Sequence, residues 1–199
     1  LAGASWAPQA GPDSVERLLE AFEALHAERP VRDNSGGSRW AACAWLFVLA
    51  RLIGPHQIVE SGTHRGQTAW LLSRACPQAT VATFDITHEL LEHREPGVTY
   101  VLGDWSAERV RARPGATALA FFDDHVSQAR RVVEAAERGF AWALLDDALP
   151  SWMLGVTGVP PAPTLPMLDE PDLVPGTVIR WRRRGRSRSL EITAELERE

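Results

Sequence analysis

Apolar and polar positions follow two alternating rhythms along this chain. Five short runs rich in β-branched, aromatic and aliphatic residues, at 57–61, 79–85, 98–102, 116–122 and 140–145, read as strands. Stretches at helical spacing lie between most of them: Thr68–Ala75, a short one near Glu89–His93, Ala107–Arg111 and Ser127–Arg138. Two helices precede this alternation. In the first, Val15, Leu18, Leu19, Phe22 and Leu25 form an apolar stripe; Asp13-Ser14 can cap it and Pro30 ends it after about Glu28. The second, about Arg39 to Leu52, is apolar on nearly every face. Strands alternating with helices imply an α/β domain with a parallel sheet covered on both faces. The proline-rich window 149–176 breaks the rhythm and excludes a stable helix. The tail, Thr177–Leu196, reads as two strands joined by a turn at Arg184-Gly-Arg-Ser. The chain therefore divides into a loose segment 1–12, capping helices over 13–55, and one α/β core over 56–199 carrying an insert at 149–176.

Composition narrows the classes of function. The 199 residues suffice for one domain with a substantial core. A net charge of −5 argues against broad nucleic-acid binding. All 21 basic residues are Arg, so no lysine is available as a catalytic base. Cys43 and Cys76 lack metal-type spacing and read as reduced thiols. The longest apolar stretch, Ala41 to Ile53, is too short to span a bilayer, and the first residues lack a signal-peptide pattern. These features point to a cytoplasmic protein with no membrane partner. Association with a second copy stays open.

The chemistry gathers where strands end. The run Gln57-Ile-Val-Glu-Ser-Gly-Thr-His-Arg-Gly66 is a strand, a glycine turn and a helix start. Such a turn lets a ligand approach bare backbone at the carboxyl edge of a sheet. Glu60 would repel a pyrophosphate and welcome a cationic amino group. The G-x-G-x-x-G dinucleotide fingerprint is absent. Asp85 ends the second strand, 23 residues past Gly62, where an acid can accept from a ribose diol. Gly103-Asp104-Trp105 follows the third strand. Phe122-Asp-Asp-His125 ends the fourth, and Leu145-Asp-Asp147 the fifth. Four carboxylates converging on one edge repel each other, and a hard divalent cation would relieve that. His125, His64 and His88 lie at or near the same edge.

The sequence E-x-G-x-x-x-G over Glu60–Gly66 resembles motif I of class I S-adenosylmethionine (SAM) methyltransferases, with His64 at the usual middle glycine. The resemblance runs from about Gln57 to Ala148 and is nearest the catechol and macrocin O-methyltransferases, a pattern shared by cephalosporin-hydroxylase-type proteins. It implies a doubly wound, mostly parallel seven-stranded Rossmann-like sheet, closed by a C-terminal antiparallel hairpin. It implies SAM as cofactor, with Glu60, Gly62, Thr63 and Gly66 at the methionine end, Asp85 at the ribose, and Asp104 and Trp105 at the adenine. Asp124 is shared between cofactor and metal. Carried over residue by residue, Asp124, Asp146 and Asp147 would bind Mg²⁺, with Asp123 as the alternative to Asp124. The lysine that serves as base in catechol-type enzymes is Ser127 here, which leaves His125 and His64 as candidate catalytic residues. The implied reaction is methyl transfer to an oxygen of a small-molecule acceptor, a sugar or secondary metabolite, with Trp152 and Met153 of the insert in its wall. Three rival readings stand beside it: a non-catalytic methyltransferase-like module, a nucleic-acid methyltransferase using the arginine-rich hairpin, and a non-methyltransferase enzyme on the same fold, as the cephalosporin-hydroxylase-type pattern suggests.

Overall fold

The structure is a computed structural model that describes residues 12–155 and 162–192. The segment 1–11, most of the expected loose N-terminus, lies outside the described residues. So do 156–161 of the insert and the end of the tail from 193.

Helices α1 (Pro12–Ala27) and α2 (Trp40–Ile53) come first. They are followed by β1 (Gln57–Ser61), α3 (Gln67–Ala75), β2 (Thr80–Asp85), β3 (Val98–Leu102), β4 (Ala118–Phe122), α4 (Gln128–Glu137) and β5 (Trp142–Leu145). The five strands form one parallel sheet in the order β3-β2-β1-β4-β5. Every residue of β1 and β4 is buried, as central strands covered on both faces require. Successive side chains point to opposite faces. Ile58, Val81, Leu119 and Phe121 join α1, α2 and α3 in one core. Val59, Phe84, Ala120 and Phe122 join Trp105, Ala135 and Phe140 in the other. Helix α2 ends on Gly54 at φ 61°, a left-handed position that glycine adopts without a Cβ clash.

Three expectations are corrected. No helix forms near Glu89–His93. There Asp85 accepts from the Thr87 N–H and Thr87 from the Glu89 N–H, local bonds that compete with helical ones. No α-helix forms over Ala107–Arg111 either; a 3₁₀ turn covers only Trp105–Ala107, capped by Asp104. Beyond it the Gln57 amide pairs with the Arg111 C=O and the Arg113 N–H, holding the backbone extended.

The third correction concerns the sheet. Strands β6 (Val178–Arg183) and β7 (Arg186–Glu191) pair antiparallel as a separate two-stranded sheet, so no seven-stranded sheet exists among the described residues. The hairpin packs Ile179, Trp181 and Leu190 on Leu154, Met167 and Ile192, a small core of its own, instead of extending β5. No helix among the described residues is long and apolar enough to cross a membrane.

Candidate functional site

The sheet reverses direction of winding between β1 and β4, and ligands of open α/β sheets bind outside the strand ends at such a point. A solvent-open cleft of about 320 Å³ lies there. Ser61, Gly62 and His64 line it after β1, Asp85, Ile86 and Thr87 after β2, Gly103 and Asp104 after β3, and Asp123–Val126 after β4.

The turn after β1 is pinned by close backbone approaches. Gly62 has φ 104°, and a Cβ there would lie 2.3 Å from the Asp123 carbonyl oxygen. Gly66 has φ 88°, and a Cβ would lie 2.2 Å from the His93 carbonyl oxygen. Both glycines thus let neighbouring loops of the protein itself close on the turn. The His64 N–H donates to Asp85 Oδ2 at 2.9 Å, joining the ends of β1 and β2. Asp85 lines the cleft with capacity left to accept from a diol. The His64 ring packs against Gly36 and Gly37 of the α1–α2 loop, and Gly36 itself lines the cleft. Desolvation and Arg65 lower the His64 pKa.

Glu60 is fully buried and does not line the cleft. Its carboxylate accepts from the Thr83 hydroxyl. Because Thr83 spends its one hydrogen there, the Thr63 hydroxyl is the donor in the 2.6 Å Thr63–Thr83 contact. Burial pushes Glu60 up to about 7, against the hydrogen bonds from Thr68 and Thr83. Glu60 and Thr63 therefore brace the turn from beneath, where the sequence reading had them touch a ligand. Trp105 is corrected too. It is 0% exposed, packed against Phe122 and Phe140 with Arg138 over its ring, and cannot stack on anything in the cleft.

Arg131 of α4 organises the far wall. Its guanidinium is 1% exposed and binds three acids: Asp104 at 3.0 and 3.1 Å, Asp124 at 2.8 Å and Glu134 at 2.7 Å. Burial opposes the ionisation of Asp104, but the hydrogen bonds from Arg131 and Ser106 prevail and hold it at about 2. Asp124 also accepts from the Ser61 hydroxyl at 2.5 Å. The carboxylates of Asp104 and Asp124 are thus committed to protein partners.

The residues that converge on an open position are Asp123, His125 and Asp147, whose potential ligand atoms all lie within 4.8 Å of one another. Of the sequence-derived metal set only Asp147 remains. Asp124 is neutralised by Arg131, and Asp146 accepts from the Ser38 hydroxyl at 2.6 Å and from the Asp147 N–H at 2.9 Å. Asp123, the alternative, takes the place of Asp124. Burial, then Asp146 and Asp147, push Asp123 up to about 8. A cation would remove that penalty, and two carboxylates with an imidazole suit a divalent ion. Among the described residues, three of the four non-glycine residues at positive φ, His64, His125 and Asp147, belong to this site. Such strain concentrates where function over-determines the backbone.

A narrow crevice of about 20 Å³, little more than the space of one water, adjoins the triad, walled by Phe122, Val126, Leu149, Leu154, Ala162 and Thr164. Trp152 is 71% exposed and, like Met153, does not line it. His64 does not line it either. Sequence reasoning missed Arg131 and Ser38. Arg131 lies seven residues past Asp124 on a helix whose charged positions all look solvated, and nothing near Ser38 signals a partner 85 residues away.

No family model and no curated protein matches the chain. Solved structures do. The SAH-bound methyltransferase PaMTH1 of Podospora anserina superposes with TM-score 0.52 at 17% identity, over 73% of this chain and 66% of that one. Cofactor-bound Rv0187 from MTB superposes with TM-score 0.50 at 18% identity, over 85% of this chain and 84% of that one. This chain thus spans just under two thirds of the Podospora protein. At these identities the likeness is one of fold: the chain has the α/β, Rossmann-like methyltransferase fold.

Proposed function

We propose that this protein is a cytoplasmic SAM-dependent methyltransferase that methylates an oxygen of a small molecule, a sugar or secondary metabolite, beside a divalent cation. One observation carries the reading. A cleft at the switch point of this fold opens onto Asp123, His125 and Asp147, with a crevice on their other side. The methionine end of SAM would lie along the Ser61–His64 backbone, the ribose at Asp85, and the adenine beside Ile86 and Gly103. Asp123, His125 and Asp147 would hold a divalent cation, which when bound fixes acceptor oxygens and lowers the pKa of the attacked hydroxyl. Methyl transfer then demands mainly that oxygen and methyl be held close and in line. The lack of any lysine is consistent with an acceptor activated this way.

Calorimetric titration with S-adenosylhomocysteine tests the cofactor half. Micromolar binding is expected, weakened at least tenfold in Asp85→Asn. No binding with or without Mg²⁺ would favour the non-catalytic module and end the methyltransferase reading.

A further inference from the structure

The β6–β7 hairpin has no role in the reading above, yet it holds the strongest local charge of the molecule. Six arginines stand within Arg180–Arg188, and the hairpin 178–191 carries +5 on a chain whose total is −5. Arg180, Arg182, Arg184, Arg186 and Arg188 are exposed. Among the described residues none of the six forms an ion pair.

The register makes this an ordered surface. Arg180 stands opposite Ser189 and Arg182 opposite Ser187. Residues opposite one another in an antiparallel pair share a face, so two Arg–Ser pairs form consecutive rungs. Arginines two apart on a strand repeat at about 6.6 Å, each with a hydroxyl donor beside it. Ile179, Trp181 and Leu190 point to the other face and anchor the ribbon on its small core. The charged face is therefore presented from a fixed platform and has no apolar side chain to insert into a bilayer. Anchoring in a bilayer would call for such insertion, which leaves only surface charge attraction on the membrane side. Guanidinium forks with interleaved hydroxyls suit repeated phosphodiesters, and a two-stranded ribbon fits a duplex groove. The choice of Arg over Lys adds nothing, because the chain contains no Lys.

We propose that the exposed face of the β6–β7 hairpin, centred on Arg180 and Arg182 with Ser187 and Ser189 beside them, binds the phosphate backbone of nucleic acid. This revises the sequence-level expectation from net charge, since local charge density governs such contacts. The binding is independent of sequence and of the methyltransferase site, and it is salt-sensitive because phosphate contacts release counterions.

The test is fluorescence anisotropy of a labelled random-sequence 20-base-pair DNA duplex against the full chain, between 25 and 200 mM salt. A double variant Arg180→Gln/Arg182→Gln serves as comparison, with phosphatidylglycerol vesicles in parallel. The expected result is saturable binding at low salt, weakened at least tenfold in the variant. Losing two phosphate contacts would reduce the salt slope by about 1.8. The variant should keep the thermal midpoint and the S-adenosylhomocysteine affinity of the parent, which separates failure here from failure of the methyltransferase reading. Absence of duplex binding at 25 mM salt, unchanged binding by the variant, or capture by vesicles alone would each overturn the proposal.

Discussion

Glu60 is the residue whose physics departs furthest from its first reading. An acid after a strand, two residues before a glycine, looks like a ligand for an amino group. The structure buries it completely and surrounds it with threonine hydroxyls. Sequence reveals the residue type at the end of a strand but not which face of the sheet it takes, and one residue of register decides that. Ser61, one position on, points the other way and reaches Asp124. The burial has a measurable consequence. With a folded pKa of about 7 against an ordinary 4.5, the native state binds the extra proton between those values. Stability from this group is therefore full below pH 4.5 and falls as pH rises to 7. Glu60→Gln removes the loss: its unfolding free energy from urea titration should exceed the parent's at pH 8, by up to about 3 kcal/mol, and match it at pH 4.5. Equal stabilities at pH 8 would place the carboxylate in water instead.

At the level of elements, the strands were legible because each is a short, mostly apolar run with an acid at or within two residues of its end, and all five lie within two residues of their expected bounds. The two missing helices were not, because local side-chain bonds and the Gln57 amide claim backbone groups the pattern had assigned to helices. Nor was the hairpin's independence, which depends on the small core around Met167 that only tertiary packing creates. Helix α4 was found, but its function in the fold was hidden. Through Arg131 it binds the turns after β3 and β4 to each other. Removing one member of a buried ionic network leaves the others uncompensated, which costs about 3–5 kcal/mol. Asp104 is partly exposed, so the lower end of that range is expected for Arg131→Met, about 3 kcal/mol by urea unfolding. The same variant should weaken S-adenosylhomocysteine binding, because both turns line the cleft. A loss under 1 kcal/mol would mean that α4 merely covers the sheet.

Across the whole molecule, the parallel sheet brings together chain segments that no motif connects. Ser38 precedes the sheet, yet its hydroxyl reaches both Asp123 and Asp146, at 3.1 and 2.6 Å. The sequence pointed to this edge, since paired acids end both β4 and β5. It could not say which acid of each pair faces outward, because Arg131 and Ser38, which take up Asp124 and Asp146, lie elsewhere in the chain. The structure therefore separates two metal sets that share Asp147. An ion held between the ends of β4 and β5 binds the native state alone, so it stabilises by about 2.7 kcal/mol at a hundred times its dissociation constant. Thermal unfolding with increasing Mg²⁺ should raise the parent's midpoint. Asp147→Asn should abolish that response without straining the backbone, since asparagine tolerates the φ of 53° found there. Asp123→Asn should abolish it too, while starting from a higher metal-free midpoint at pH 9 because a penalised carboxylate is gone. Asp124→Asn discriminates between the sets. It should lower the midpoint by weakening the Arg131 network yet keep the full Mg²⁺ response. If Asp124→Asn loses the response and Asp123→Asn keeps it, the ion sits where the family resemblance alone put it, and Arg131 must release Asp124 to make room.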